Sequence, residues 1–180
     1  MSTLTVHTIE TAPEKSKGQL EESVKAFGML PNLHGVLAES PAILEGYKTL
    51  HHLFSTQTAF DAEELTVVWQ TINVEHKCHY CVPAHTAIAH MMKVNPELID
   101  ALRNKSAMPN AKLQALYDTT LIILRNRGNI SKPELDKFYQ AGYTERHVLE
   151  IILGLSQKVI SNYVNHIANT EVDEPFKKFI

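Results

Sequence analysis

Both cysteines of this 180-residue chain lie in one short stretch, Cys78-His79-Tyr80-Cys81, and His85 follows four residues later. A thiolate at one cysteine can attack an electrophile such as a peroxide oxygen, and the other cysteine can then capture the resulting sulfenic acid as a disulfide. Two cysteines with only two residues between them can form that disulfide without unfolding the surrounding chain. The spacing therefore predicts a dithiol redox centre at Cys78 and Cys81.

Pro83 indicates where these residues lie relative to a helix. Proline lacks an N–H and its ring clashes with the carbonyl four residues earlier, so it is tolerated only in the first helical turn. We therefore expect a helix that begins near residues 80–82. Both cysteines then lie at its N-terminus, where free backbone N–H groups and the helix dipole favour a thiolate. His85 lies one turn beyond Cys81 on the same face, where it can exchange a proton with the sulfur.

Two other interpretations of the cysteine pair remain open. A Cys-x-x-Cys pair can be half of a zinc site that histidines complete, and the available histidines are His76, His79, His85 and His166. The two cysteines can also be inert and buried beside a core histidine. The proline and the histidine after the second cysteine favour the redox interpretation, because a zinc site needs neither. We therefore expect neither a metal nor a cofactor.

The composition excludes several classes of function. The formal net charge is -3, which argues against a nucleic-acid-binding protein. Two cysteines cannot form a disulfide scaffold, and no Gly-rich phosphate loop supports nucleotide binding. The longest apolar runs, residues 121–124 and 151–153, are far shorter than the ~20 residues of a membrane span. The first ten residues do not resemble a secretory signal. We expect a cytoplasmic protein without a membrane or nucleic-acid partner.

The elements that must position the cysteines are helices. Apolar residues recur at helical spacing from Ser16 onward. Signals for helix starts recur at Ser40-Pro41, Asp61–Glu64, Asn95-Pro96, Ser131–Glu134 and Thr144. No alternating run of five residues between turns indicates a strand. The sequence predicts one all-α domain over residues 16–180, with eight to ten helices and no sheet, preceded by a loose arm over residues 1–15.

The last long helix carries apolar residues along one side, from Val148 to Ile167. Three polar residues, Asn162, Asn165 and His166, interrupt its C-terminal half. They line either the active-site pocket or a subunit seam, or they face solvent, and the spacing alone leaves these alternatives open.

The cysteine motif resembles that of a known family. Cys-x-x-Cys-x-x-x-His on a helix, in an all-helical chain of this length, is similar to the AhpD-like branch of the carboxymuconolactone decarboxylase superfamily. The similarity extends to the segments Phe27–Leu33, Glu39–Pro41 and Asn162–His166, and to Asp173 and Phe176 after them. It covers about residues 20 to 180 and is strongest to the peroxidase-related members.

The resemblance implies a function and a set of partners. It implies alkylhydroperoxidase activity in a helical domain that assembles into trimers or hexamers, with a hydroperoxide as substrate. Electrons would come from a dithiol protein, either lipoylated or thioredoxin-like. In the family the second cysteine is the peroxidatic one, which here is Cys81. The first resolves it, which here is Cys78, and the histidine that assists proton transfer is His85.

The sequence departs from the AhpD pattern at two positions. The family has a glutamate twelve residues before the first cysteine, where this chain has Thr66, and a histidine just before the second cysteine, where it has Tyr80. Glu75 either replaces the missing carboxylate beside His85 or is a solvated group at a helix end. The alternatives are lactone chemistry of the decarboxylase branch and a non-catalytic zinc-binding or redox-sensing module.

Overall fold

A computed structural model describes residues 2–180, which form nine α-helices and one C-terminal 3₁₀ helix and contain no strand. The α-helices are α1 Glu14–Phe27, α2 Asn32–Leu37, α3 Pro41–Gln57, α4 Ala62–Glu75, α5 Cys81–Met91, α6 Pro96–Asn104, α7 Ala111–Arg125, α8 Lys132–Gln140 and α9 Glu145–Ala168. The 3₁₀ helix spans Glu174–Phe179. The prediction of a single all-α domain with eight to ten helices is confirmed.

Local signals at the helix ends explain why most boundaries follow from the sequence. At the start of α4 the carboxylate of Asp61 accepts a hydrogen bond from the Glu64 backbone N–H, at 2.9 Å, and the Glu64 carboxylate accepts one from the Asp61 N–H. Gly28 ends α1 with a φ of 72°, a left-handed conformation that glycine adopts without strain. The short helix α2 was not predicted, because no side chain caps its start.

Helix α4 lies at the centre of the molecule. Its ten consecutive residues 64–73 are all buried, and it packs against α5, α6, α7 and α9. A helix buried on every side needs neighbours all round, which the surrounding helices provide. Trp69 belongs to this core, as its apolar spacing with Leu65 and Ile72 indicates. No helix within residues 2–180 has the length and apolar character needed to cross a bilayer.

A second, smaller apolar cluster joins α1, α2 and α3 to the start of α5. It contains Leu20 and Leu44 together with both cysteines. The segment 2–13, before α1, is not helical and lies against the domain: the backbone N–H of Thr3 donates to the Ala168 carbonyl at 2.7 Å. Residue 1 of the predicted arm lies outside the described residues. The second cluster holds the cysteines between the N-terminal helices and the central helix.

Candidate active site

The cysteine pair lies at the start of α5, as the position of Pro83 predicts. Cys81 is the first residue of the helix and Cys78 lies in the preceding turn. The backbone N–H of Cys81 donates to the sulfur of Cys78 at 3.3 Å, and both thiols are free and buried. The two cysteines are therefore close to each other without being joined by a disulfide.

Helix α9 brings polar side chains to the cysteines from across the domain. Asn165 is fully buried, and its side-chain amide donates to the sulfur of Cys81 at 3.3 Å. Asn162 is also fully buried and donates to Asn73, whereas His166 is exposed. The alternative of a solvent-facing position is therefore wrong for the two asparagines and holds for the histidine.

The buried face of α9 is the polar one, which reverses the usual arrangement of an amphipathic helix. The residues of α9 that face the interior are Glu150, Ile151, Gly154, Gln157, Lys158, Ser161, Asn162, Asn165 and Ala168. Leu149, Ile152, Tyr163 and Ile167 form an exposed apolar stripe on the opposite side, and their exposed fractions lie between 44% and 68%. The apolar side of this helix therefore does not form the core of this chain.

Lys158 is the site residue that sequence reasoning missed. It is fully buried on α9, and its Nζ lies 2.8 Å from Nε2 of His85. Among residues 2–180 no carboxylate forms an ion pair with it. Its position three residues before Ser161 and seven before Asn165 places it on the polar face of α9. That spacing is the one sequence signal that could have identified it.

The surroundings of Cys81 favour its thiolate. Burial by itself raises the pKa of the Cys81 thiol. Hydrogen bonding to Cys78 and the charge of Lys158 outweigh that effect, and further hydrogen bonds from Asn165 and Ser161 add to them, so the pKa of Cys81 lies well below its usual range. The pKa of Cys78 is raised by its hydrogen bond to Cys81 and by burial, so Cys78 remains a thiol. The pair therefore consists of a nucleophilic sulfur and a protonated partner.

His85 is held in its neutral form. Burial and then the charge of Lys158 lower its pKa well below the usual range. Its ring lies 4.9 Å from the ring of Trp69, whose indole N–H is held by the Gln157 side chain at 2.8 Å. Nδ1 of His85 is buried without a hydrogen-bond partner among the described residues. The expected proton exchange between His85 and Cys81 remains a prediction.

A cavity of about 530 Å³ opens onto the site. Cys81, His85 and Lys158 lie among its buried residues, while Phe27 and Met91 are more than half exposed and lie at its rim. The remaining lining residues are mainly aromatic or aliphatic, together with further histidines. The volume is within the range of pockets that hold small organic molecules.

Two of those further histidines, His34 and His51, are uncharged. Burial is the main cause that lowers the pKa of His34 to about 3 and that of His51 to about 4. Two other charged residues of the lining, Glu22 and Lys48, pair with each other at 2.7 Å. The rest of the wall around Lys158 is mainly apolar, and this environment suits a ligand with a large apolar part.

Glu75 does not take the place of the missing glutamate. Its carboxylate binds Arg125, at 2.7 Å, and Lys105, at 3.1 Å, and these contacts lower its pKa to about 2. Thr66 donates its hydroxyl to the Ala62 carbonyl within its own helix. Tyr80 donates its hydroxyl to the Asp173 carboxylate. None of these hydrogen bonds carries a proton to His85.

No set of ligands among the described residues supports the zinc alternative. Within residues 2–180 no group of three or more histidine, cysteine, aspartate or glutamate side chains is arranged to hold a metal ion. His76 hydrogen-bonds to Asn162 at 2.8 Å, and His79 to the Thr170 carbonyl at 2.9 Å. Both histidines are thus hydrogen-bonded to groups other than the cysteines.

Solved structures of other proteins share this arrangement of helices. The peroxidase-related AhpD core protein of Ralstonia eutropha JMP134 superposes with a TM-score of 0.85 at 19% sequence identity, over 97% of this chain and 94% of that chain. The chain has the AhpD-like fold. A peroxidase-related protein of Silicibacter sp. TM1040 has a TM-score of 0.82 at 17% identity, over 97% of this chain and 94% of that one.

A third protein with the AhpD-like fold is a debrominase. The debrominase Bmp8, solved in complex with 2,3,4-tribromopyrrole, superposes with a TM-score of 0.78 at 16% identity, over 99% of this chain and 96% of that chain. No family model and no curated protein sequence matches the chain. At these identities the superpositions establish the fold and leave the reaction to be argued from the site.

Proposed function

We propose that the protein is a cofactor-free thiol peroxidase that reduces organic hydroperoxides, with Cys81 as nucleophile and Cys78 as resolving cysteine. The observation that carries the proposal is the Cys81 sulfur itself. It lies in an apolar cavity beside the Lys158 ammonium and the Asn165 amide, with the thiol of Cys78 next to it. Such an environment favours a thiolate at neutral pH, and the thiolate is the reactive form.

The reaction uses two electrons from the two sulfurs. The Cys81 thiolate attacks one peroxide oxygen, which breaks the O–O bond and leaves a sulfenic acid on Cys81 and an alcohol after proton transfer. The Cys78 thiol then displaces water from the sulfenic acid and forms the disulfide. A dithiol protein, lipoylated or thioredoxin-like, restores both thiols. His85 supplies or accepts protons during these steps.

Anaerobic reaction of the reduced protein with cumene hydroperoxide tests this proposal. We expect two thiols to be lost for each hydroperoxide consumed. Cys78→Ser should lose one thiol and accumulate a sulfenic acid that dimedone traps, and Cys81→Ser should not react. Hydroperoxide consumption by Cys81→Ser at the wild-type rate would contradict the proposal. Lactone turnover that survives replacement of both cysteines would support the decarboxylase alternative instead.

The apolar cavity favours a second candidate, reductive dehalogenation of a halogenated aromatic ring. In that reaction the Cys81 thiolate takes the halogen from the ring and Cys78 displaces it as halide. The ring carbon gains a proton, so that one carbon–halogen bond is exchanged for one carbon–hydrogen bond and one disulfide. Release of bromide from a bromopyrrole in the presence of dithiothreitol, absent in Cys81→Ser, would identify this activity.

We also propose that the protein self-associates through the apolar stripe of α9. The four residues recur at helical spacing, so they lie on one side of the helix along most of its length. Exposed apolar residues that form a continuous surface are typical of protein–protein contacts. A trimer or hexamer, as the family resemblance implies, would bury this stripe.

A further inference from the structure

The buried ammonium of Lys158 needs a compensating partner. An isolated charge is costly to bury unless it is paired and hydrogen-bonded. Within residues 2–180 no carboxylate is paired with Lys158, and its hydrogen bond goes to His85. Burial lowers the pKa of Lys158, and the negative charge of Cys81 acts in the opposite direction, so the Cys81 thiolate is the group that compensates the ammonium. The lysine and the cysteine therefore depend on each other for their ionised states.

The same hydrogen bond fixes the tautomer of His85. An ammonium group has hydrogens to donate and no lone pair to accept with. With Lys158 in its ammonium form, Nε2 of His85 accepts the hydrogen bond, and in a neutral ring the proton then lies on Nδ1. The arrangement leaves the Nδ1–H of His85 buried at the cavity wall, with no partner among the described residues.

We propose that Lys158 is the positioning residue of this site: its ammonium group keeps Cys81 ionised, holds His85 as the Nδ1–H tautomer, and passes a proton through His85 to the leaving oxygen. The inference deepens the proposed peroxidase function and rests on it for the last step alone. It also explains how the site operates with Thr66 where the AhpD pattern has a glutamate, because a cation on α9 takes over the proton transfer.

The protons and electrons of this scheme balance. When the Cys81 thiolate attacks and the O–O bond breaks, the departing alkoxide takes the Nδ1 proton of His85 while Nε2 takes one from Lys158. The products are a sulfenic acid, an alcohol, a neutral imidazole in its other tautomer and a neutral amine. The Cys78 thiol then forms the disulfide and releases water.

The reductant restores the starting oxidation and protonation states of the site. A dithiol carries two protons and two electrons, and it returns Cys78 to the thiol and Cys81 to the thiolate. The remaining proton enters at Nδ1 of His85 while the Nε2 proton returns to Lys158. The cycle therefore needs no charged group beyond those already described.

Replacement of Lys158 by methionine tests the proposal without any substrate. Lys158→Met keeps a side chain of similar length and removes the charge. We expect the thiolate absorbance near 240 nm at neutral pH to disappear and the thiol pKa of Cys81 to rise above about 8, since an unpaired thiolate is disfavoured by burial. The control is Lys15→Met, which removes an exposed lysine of α1 and should leave the thiol titration unchanged. An unchanged titration in Lys158→Met would overturn the proposal.

A measurement on the unaltered protein covers the case in which the variant does not fold. Nitrogen chemical shifts of His85 distinguish the Nδ1–H tautomer from the Nε2–H tautomer and from imidazolium. We expect Nδ1–H, and either of the other forms would overturn the proposal. If this tautomer and a low thiol pKa are found but no hydroperoxide is consumed, the charge pairing stands and the proposed peroxidase function fails. The two failures are thus distinguishable.

Discussion

At the scale of single residues, Asn165 and Asn162 form a matched pair on the buried face of α9. Both are fully buried, but Asn165 donates to the Cys81 sulfur whereas Asn162 donates to Asn73. We expect Asn165→Ala to raise the thiol pKa of Cys81 by about one unit, or ~1.4 kcal/mol, because the thiolate loses a hydrogen bond. Titration of the thiolate absorbance measures the shift.

Asn162→Ala is the control for this prediction. It removes an equally buried amide one turn earlier, with no contact to the sulfur, so it should lower stability and leave the thiol titration where it is. Equal shifts in the two variants would mean that a general loosening of α9, and not the hydrogen bond to sulfur, changes the pKa.

The residues of the site differ in how far the sequence could predict them. Cys78, Cys81 and His85 lie within eight positions, and the spacing together with Pro83 placed the cysteines correctly at a helix start. Lys158 lies 73 residues from His85, and Asn165 lies 84 residues from Cys81. Their proximity depends on how α9 packs against α5. That packing cannot be predicted from the spacing of residues within either helix.

At the scale of elements, Gly154 allows α9 to approach α3 and α4 closely. A Cβ at this position would lie 2.7 Å from a ring carbon of Phe54 and 3.0 Å from Val68. We expect Gly154→Ala to lower the free energy of unfolding by about 1–3 kcal/mol, because the side chains around it have no room to move. Urea denaturation measures the change.

Gly46→Ala provides the matched control within α3. A Cβ there meets nothing within 4 Å, and alanine restricts the unfolded chain more than glycine does. The variant should gain about 0.4–1 kcal/mol of stability. A Gly154→Ala variant as stable as the parent protein would contradict the close packing of α9.

The helices themselves were predictable where their ends carry local signals, as at the capping residues Asp61 and Ser131. The orientation of α9 was not. The apolar side of a helix usually packs inward, yet in α9 the polar side does so, and it brings Lys158 and Asn165 to His85 and Cys81. Helix α9, which contacts the cysteine pair on one side and exposes apolar residues on the other, therefore does not follow the usual relation between hydrophobicity and burial.

At the scale of the whole molecule, the apolar stripe of α9 predicts the behaviour of the protein in solution. We expect the parent chain to form an oligomer and Ile152→Glu to shift it toward the monomer, because a charge in the middle of the stripe is disfavoured in an apolar contact. Sedimentation equilibrium measures the change in mass. Lys15→Glu, at an exposed position of α1, should leave the mass unchanged. A monomeric parent protein would refute the proposed contact.

The cavity lined by Cys81 affects which oxidants can reach its sulfur. Its mainly apolar walls favour the transfer of apolar groups from water into the cavity, by about 0.8 kcal/mol for each methylene group buried. A long-chain or ring-bearing oxidant would therefore concentrate at the sulfur, whereas hydrogen peroxide loses hydrogen bonds to water on entering an apolar cavity. Under the proposed function, partitioning into the cavity would select among oxidants before any bond to sulfur is made.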